Sequence, residues 1–113
     1  DQGSKIACGS DFPVESPNPF EGLHAAVTRQ NNAGVPAGGW YKNQAMTMNE
    51  AFRCFTLDAA YAANQENVIG SLEPGKWADF ILIDRDIFKV APEQIGKTVV
   101  LQTWMGGKRV YKK

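Results

Sequence analysis

Apolar residues recur at helical spacing in the first half of the chain and at strand-like spacing in the second, and that change of period divides the sequence. Phe20, Leu23 and Val27 stand at i, i+3 and i+7 and define one apolar helix face. The segment before them supplies a start: Asn18 is placed to cap, Pro19 suits the first helical position, and Glu21, three residues after the cap, can complete a capping box. The spacing predicts a helix ending near Asn31-Asn32, before Gly34. Ala33 to Asn43 reads as a loop by its glycines and proline, with Trp40 and Tyr41 anchoring it on an apolar surface. Thr47-Met48-Asn49-Glu50 repeats the capping logic, and Met48, Ala51, Phe52 and Phe55 follow as a second apolar stripe, read as core. A third short helix is predicted from Leu57 to about Asn64, burying Leu57, Ala60 and Tyr61.

After Gly70 the pattern becomes extended. Glu73-Pro74-Gly75-Lys76 has the proline and glycine of a type II turn. Ala78 to Asp84 then reads as a strand that is apolar on both faces, which predicts burial on both sides. Val99 to Met105 and Lys108 to Tyr111 flank Gly106-Gly107, a two-residue hairpin turn, in a register that sets Trp104 opposite Arg109 and Thr103 opposite Val110. Packing of Phe52, Phe55, Phe80, Leu82 and Trp104 against one another would order the C-terminal half.

Near the start, the short run Lys5-Ile6-Ala7-Cys8 leads into Gly9-Ser10-Asp11-Phe12-Pro13-Val14. This reads as a strand that ends on a carboxylate: small residues let the backbone turn, and Pro13 biases Phe12 away from helix. In a barrel of parallel strands that end is where active sites sit. The structural alternative is an ordinary Ser-Asp-x-Pro turn whose side chain caps its own backbone.

With 113 residues, 43% hydrophobic and 21% charged, the chain suits one small core. Twelve basic residues balance twelve acidic ones, without the electrostatic footprint of a nucleic-acid binder. No stretch approaches the roughly 18 apolar residues of a membrane span, and the chain reads as a soluble, cytoplasmic one. Cys8 and Cys54 form no C-x-x-C pair, and both read as reduced, buried thiols, a disulfide between them being the alternative. Asp1 is not a methionine and the first element would lie inside a sheet, so the sequence reads as a piece of a longer polypeptide.

Gly70-Ser71-Leu72-Glu73-Pro74-Gly75-Lys76-Trp77-Ala78-Asp79-Phe80-Ile81-Leu82-Ile83-Asp84 resembles the signature with which metal-dependent amidohydrolases leave their catalytic barrel and re-enter a small β-sandwich. Thr56-Leu57-Asp58-Ala59 and the closing hairpin from Gly106 to Tyr111 are similar to the flanking segments of that family. Gly9 to Val14 resembles the end of the eighth barrel strand in the branch that includes N-substituted formamide deformylases. The resemblance implies an α+β fragment: the last strand and helix of a TIM-type barrel and packing helices over residues 1–68, and part of the β-sandwich over residues 69–113. A complete barrel takes about 250 residues.

It also implies chemistry. Asp11 matches the family's aspartate beside a divalent metal, zinc by expectation, where it contacts the metal and takes a proton from metal-bound water before passing it to the leaving amine. A catalytic zinc needs about three protein ligands, and Asp11, His24, Cys8 and Cys54 are the candidates here, with the family's His-x-His pair lacking a counterpart. His24 reads as a helix-surface histidine, Glu15 is given no role, and Thr28-Arg29 reads as a solvated helix end with substrate contact as the alternative. The expected activity is hydrolysis of a non-peptide carbon-nitrogen bond in the whole polypeptide, with no metal held by this segment alone. Its partners would be the N-terminal part of the same polypeptide, a small amide-type substrate and a second copy of the chain, with dihydroorotase-like and deaminase roles left open. A self-standing, non-catalytic binding module is the rival reading.

Overall fold

The computed structural model describes residues 3–113. Helix α1 spans Pro19–Thr28, α2 Met48–Cys54 and α3 Leu57–Ala62; strands β1 (Phe80–Ile83), β2 (Val100–Met105) and β3 (Lys108–Lys112) follow. The three strands form one antiparallel sheet in the order β1-β2-β3, so the chain is α+β.

Helix α1 begins where the sequence places it. Asn18 Oδ1 accepts from the Phe20 amide at 3.1 Å, and Glu21 Oε1 accepts from the Asn18 side-chain amide at 3.3 Å, in place of the reach back to the cap's own backbone N–H. The helix ends earlier than its pattern suggests, because Arg29 turns left-handed at φ 59°. At α2 the capping box is complete: the Glu50 amide donates to Thr47 Oγ1, and Glu50 Oε2 accepts from the Thr47 amide at 2.8 Å.

The core gathers around α1. Phe20, Leu23 and Val27 pack with Ala51 of α2 and with Ile87 and Ile95 from the segment between β1 and β2, where Pro92–Lys97 forms a 3-10 helix against α1. That segment has no period long enough to announce itself. Gly22 lets Phe55 against α1, since a Cβ there would sit 2.6 Å from Phe55 Cζ. The expected C-terminal cluster does not form as a buried core: Phe52 is 40% exposed and Leu82 43%. Phe80 instead stacks on Trp104 with ring centroids 5.5 Å apart, and Phe52 meets Phe88 edge-on at 5.2 Å. Tyr61 is likewise exposed, while Ala60 of the same helix is buried. Strand β1 is apolar on both faces yet half-exposed, because among the described residues no second layer covers Ile81 and Leu82.

The signature residues are fasteners of this sheet. The Lys76 amide closes the turn on the Glu73 carbonyl at 3.1 Å, and the Gly106 amide donates to the Asp79 carboxylate at 2.6 Å, tying the hairpin tip to the start of β1. At the other end Asp84 Oδ1 accepts from the Val99 amide at 2.9 Å, and Asp84 Oδ2 from Arg85 Nη2 at 2.6 Å. The Arg85 guanidinium, then the Val99 amide, hold the Asp84 carboxyl down at about 2. Both hairpin glycines have positive φ, 54° and 75°, as the two-residue turn requires. Trp104 faces Arg109 as the register predicts; a bulge then shifts the ladder, so that Thr103 faces Tyr111 and not Val110.

The expected strand at Lys5 to Gly9 is absent. A strand exists through its ladder, and no described segment runs beside this one to supply it.

Candidate active-site segment

The segment that carries Asp11 is held at Cys8. Cys8 and Cys54 are joined by a disulfide, with their Cα atoms 5.1 Å apart, and the Cys8 amide donates to the Cys54 carbonyl at 3.1 Å. The expectation of two reduced thiols is thus corrected: the extended segment runs past the C-terminal end of α2 and brings the sulfurs together, a proximity that 46 residues of intervening sequence conceal. Lys5 adds a second hold, its Nζ lying 3.5 Å from the centroid of the Tyr61 ring.

Beyond Cys8 the chain turns. Asp11 has φ 52°, and its carbonyl accepts from the Val14 amide at 2.9 Å. Aspartate is one of the few side chains that tolerate the left-handed region, so a polar residue at this corner is consistent with a turn alone; what the turn adds is exposure. The Asp11 residue is open to water. A cavity of about 610 Å³ lies between Gly9-Ser10 and the first turn of α1, with Asn18, Glu21, Gly22 and Phe55 in its wall, and Asp11 does not line it.

The other candidate ligands do not converge on Asp11. His24 is buried, 5% exposed, where a surface position was expected. The α1 face that carries it is covered by the 3-10 segment, with Gly96 against the ring's base, and its Nδ1 lacks a hydrogen-bond partner. Cys8 and Cys54 are consumed in the disulfide. Among the described residues no group of three or more His, Cys, Asp or Glu side chains could hold a metal ion. The residues present therefore do not fit a metal by themselves: Asp11 is one exposed donor.

Thr28 and Arg29 are also accounted for locally. Thr28 is buried and its hydroxyl donates to the His24 carbonyl at 2.7 Å, which corrects the solvated reading for that residue. Arg29 Nε donates to the Trp40 carbonyl at 3.0 Å, and its guanidinium lies 5.1 Å from the Trp40 ring. Trp40 and Tyr41 do not sink into an apolar surface; each is 61% exposed, and hydrogen bonds hold their loop instead, including Lys42 Nζ to the Val27 carbonyl at 2.6 Å.

With this geometry in view, comparison with known proteins defines the class. The profile of the amidohydrolase family matches residues 1–111. An N-substituted formamide deformylase of Arthrobacter pascens is 33% identical over 107 residues, which cover 95% of this chain and 19% of that enzyme. An imidazolonepropionase of Porphyromonas gingivalis is 31% identical over 111 residues, covering 98% of this chain and 24% of the enzyme. Among solved structures, E. coli guanine deaminase aligns with a TM-score of 0.68 at 20% identity, over 96% of this chain and 28% of its own. An amidohydrolase from Thermotoga maritima aligns at 0.62 and 23%, over 98% and 24%. The chain belongs to the amidohydrolase family, and it spans about a fifth to a quarter of the length of these relatives.

Proposed function

We propose that this chain is the C-terminal segment of a metal-dependent hydrolase acting on non-peptide carbon-nitrogen bonds, of the amide or formamide type, and that it contributes one catalytic carboxylate, Asp11. The observation that carries the reading is the family match from residue 1 to residue 111, which includes the turn where Asp11 stands. The similarity to a protein named as an N-substituted formamide deformylase favours a linear amide substrate, and that to an imidazolonepropionase keeps a cyclic one open.

In this reading residues 1–68 close the catalytic barrel and residues 69–113 form part of the β-sandwich. The remaining polypeptide is the main partner, the substrate is a small molecule, and the chain engages neither nucleic acid nor membrane. A homo-oligomer and a cytoplasmic setting complete the proposal. Asp11 stands at the end of the segment that would be the last barrel strand, is exposed, and in the whole polypeptide would contact a divalent metal such as zinc. Its carboxylate has the chemistry to accept a proton and return it to a leaving amine. The segment alone, with one donor, would be inactive.

The test is an assay of the whole polypeptide against N-substituted formamides, other linear amides and cyclic amides, following amine or ammonia release. Turnover that chelation abolishes and a divalent cation restores is the expected result. A whole polypeptide that folds, retains metal and hydrolyses none of the three classes would overturn the assignment.

A further inference from the structure

The pairing of Cys8 with Cys54 joins the segment that leads to Asp11 to the last residue of α2. The α2 side of the bond is firmly seated. Cys54 is 2% exposed, Ala51 one turn earlier lies in the core, and Phe55, the next residue, lies so close to α1 that a Cβ on Gly22 would come within 2.6 Å of its ring. Cys8 meets that seat twice. Its sulfur is bonded to that of Cys54, with the Cα atoms 5.1 Å apart, and its amide donates to the Cys54 carbonyl at 3.1 Å. Two links to one residue fix both where Cys8 lies on α2 and how it is turned.

We propose that Cys8 and Cys54 are positioning residues for Asp11: their pairing seats the end of the last barrel strand on the helical layer and sets where the carboxylate three residues on stands. The bearing on turnover rests on the proposed reading of Asp11 as catalytic and of Lys5 to Gly9 as a barrel strand. In such a strand the ladder bonds run within the sheet, while side chains stand across it and alternate between its faces. The ladder thus sets the register of the strand against its neighbours. A side-chain bond to a helix sets a different coordinate, the distance of the strand end from the helical layer. Cys8 turns its side chain to α2, and its amide bond to the Cys54 carbonyl falls one residue before the expected end of the strand. Gly9 and Ser10 alone separate Cys8 from Asp11, so a displacement at the bond passes to the carboxylate through a short span. Catalytic geometry is sensitive on that scale, since about 1 Å of misplacement can cost on the order of a hundredfold in rate.

The experiment uses the whole polypeptide, with the variants Cys8→Ala, Cys54→Ala and the double variant. Both cysteines of the native protein should resist alkylation. Each variant should lose about 10–100-fold in kcat with KM and metal stoichiometry unchanged, and the double variant should lose no more than either single one, because the same bond is removed in all three. In crystals the Asp11 carboxylate of Cys8→Ala should stand about 1 Å or more from its native place while α1 and α2 superpose. If Cys54→Ala does not fold, Cys8→Ala and Cys8→Ser carry the kinetic comparison from the other end of the bond. A kcat within about twofold of the native one, or single losses that add, would overturn the proposal. So would an Asp11 carboxylate that does not move, or alkylation of both cysteines in the native protein. If the native polypeptide hydrolyses no amide, the functional reading fails on its own, and the place of Asp11 in the Cys8→Ala crystal still decides whether the bond positions it.

Discussion

The α1 face and the Asp11 segment are neighbours in sequence and opposites in construction. Along α1, Phe20, Leu23, His24, Val27 and Thr28 are all buried, closed in by α2 and by the Pro92–Lys97 turn. Residues 3–17 are mostly open to water, and a covalent bond and a backbone hydrogen bond at Cys8, the Lys5–Tyr61 contact and a turn are among their holds. The difference teaches where each kind of information resides. Burial makes α1 the source of stability, and exposure leaves Asp11 adding little to the fold. The C-terminal sheet falls between the two, stitched by side-chain carboxylates and joined to the core through Ile83 and Val100.

Core truncation should break the comparison most visibly. Leu23→Ala is expected to cost about 2–5 kcal/mol, whereas Leu82→Ala, at a site 43% exposed, should cost under about 1 kcal/mol. Chemical denaturation of both variants reads the contrast directly, and equal losses would mean that the sheet face is covered in solution. Gly22→Ala comes next: its new methyl meets the Phe55 ring, so overpacking of about 1–3 kcal/mol is expected, relieved in the double variant Gly22→Ala/Phe55→Leu. Thr47→Ala removes the cap of α2 and should cost about 1 kcal/mol, seen as a lower denaturation midpoint with an unchanged slope.

The smallest effect is electrostatic. The Asp84 carboxyl is held at about 2, below its ordinary 3.8, so the folded chain favours its ionised form. The stabilisation is fully present above pH 4 and is lost as the pH falls from there toward 2. The Glu73 and Asp86 carboxyls are lowered too, the first chiefly by the Ser71 hydroxyl and the second by Lys89, and act in the same direction. Acid titration of stability should therefore flatten between pH 4 and 2 in Asp84→Asn; an unchanged acid limb would show that the contact to Val99 and Arg85 is not maintained in solution.

Much of the local structure was legible from the residues because its causes are local. The caps at Asn18 and Thr47, the turn at Glu73–Lys76 and the two-glycine hairpin depend on side chains and dihedrals within a few positions. What failed was long-range. Burial of His24 depends on the Pro92–Lys97 turn, some seventy positions away, and pairing of Cys8 with Cys54 depends on where an unstructured segment crosses α2. Phe52 of the helical stripe and Leu82 of the strand misled because apolar periodicity marks a face meant to be covered without naming the cover. Asp11 was legible as a residue of the turn, but a site needs several elements, and among the described residues no group of three or more His, Cys, Asp or Glu side chains gathers.

In the proposed reading Asp11 serves chemistry and not stability, and Asp11→Asn in the whole polypeptide separates the two. The amide keeps the shape of the turn but cannot accept a proton. Turnover should fall by about 10²–10⁴-fold, mainly in kcat, with thermal unfolding unchanged within error. Near-normal turnover on a good substrate would rule out a catalytic Asp11 and reduce it to a residue of the turn.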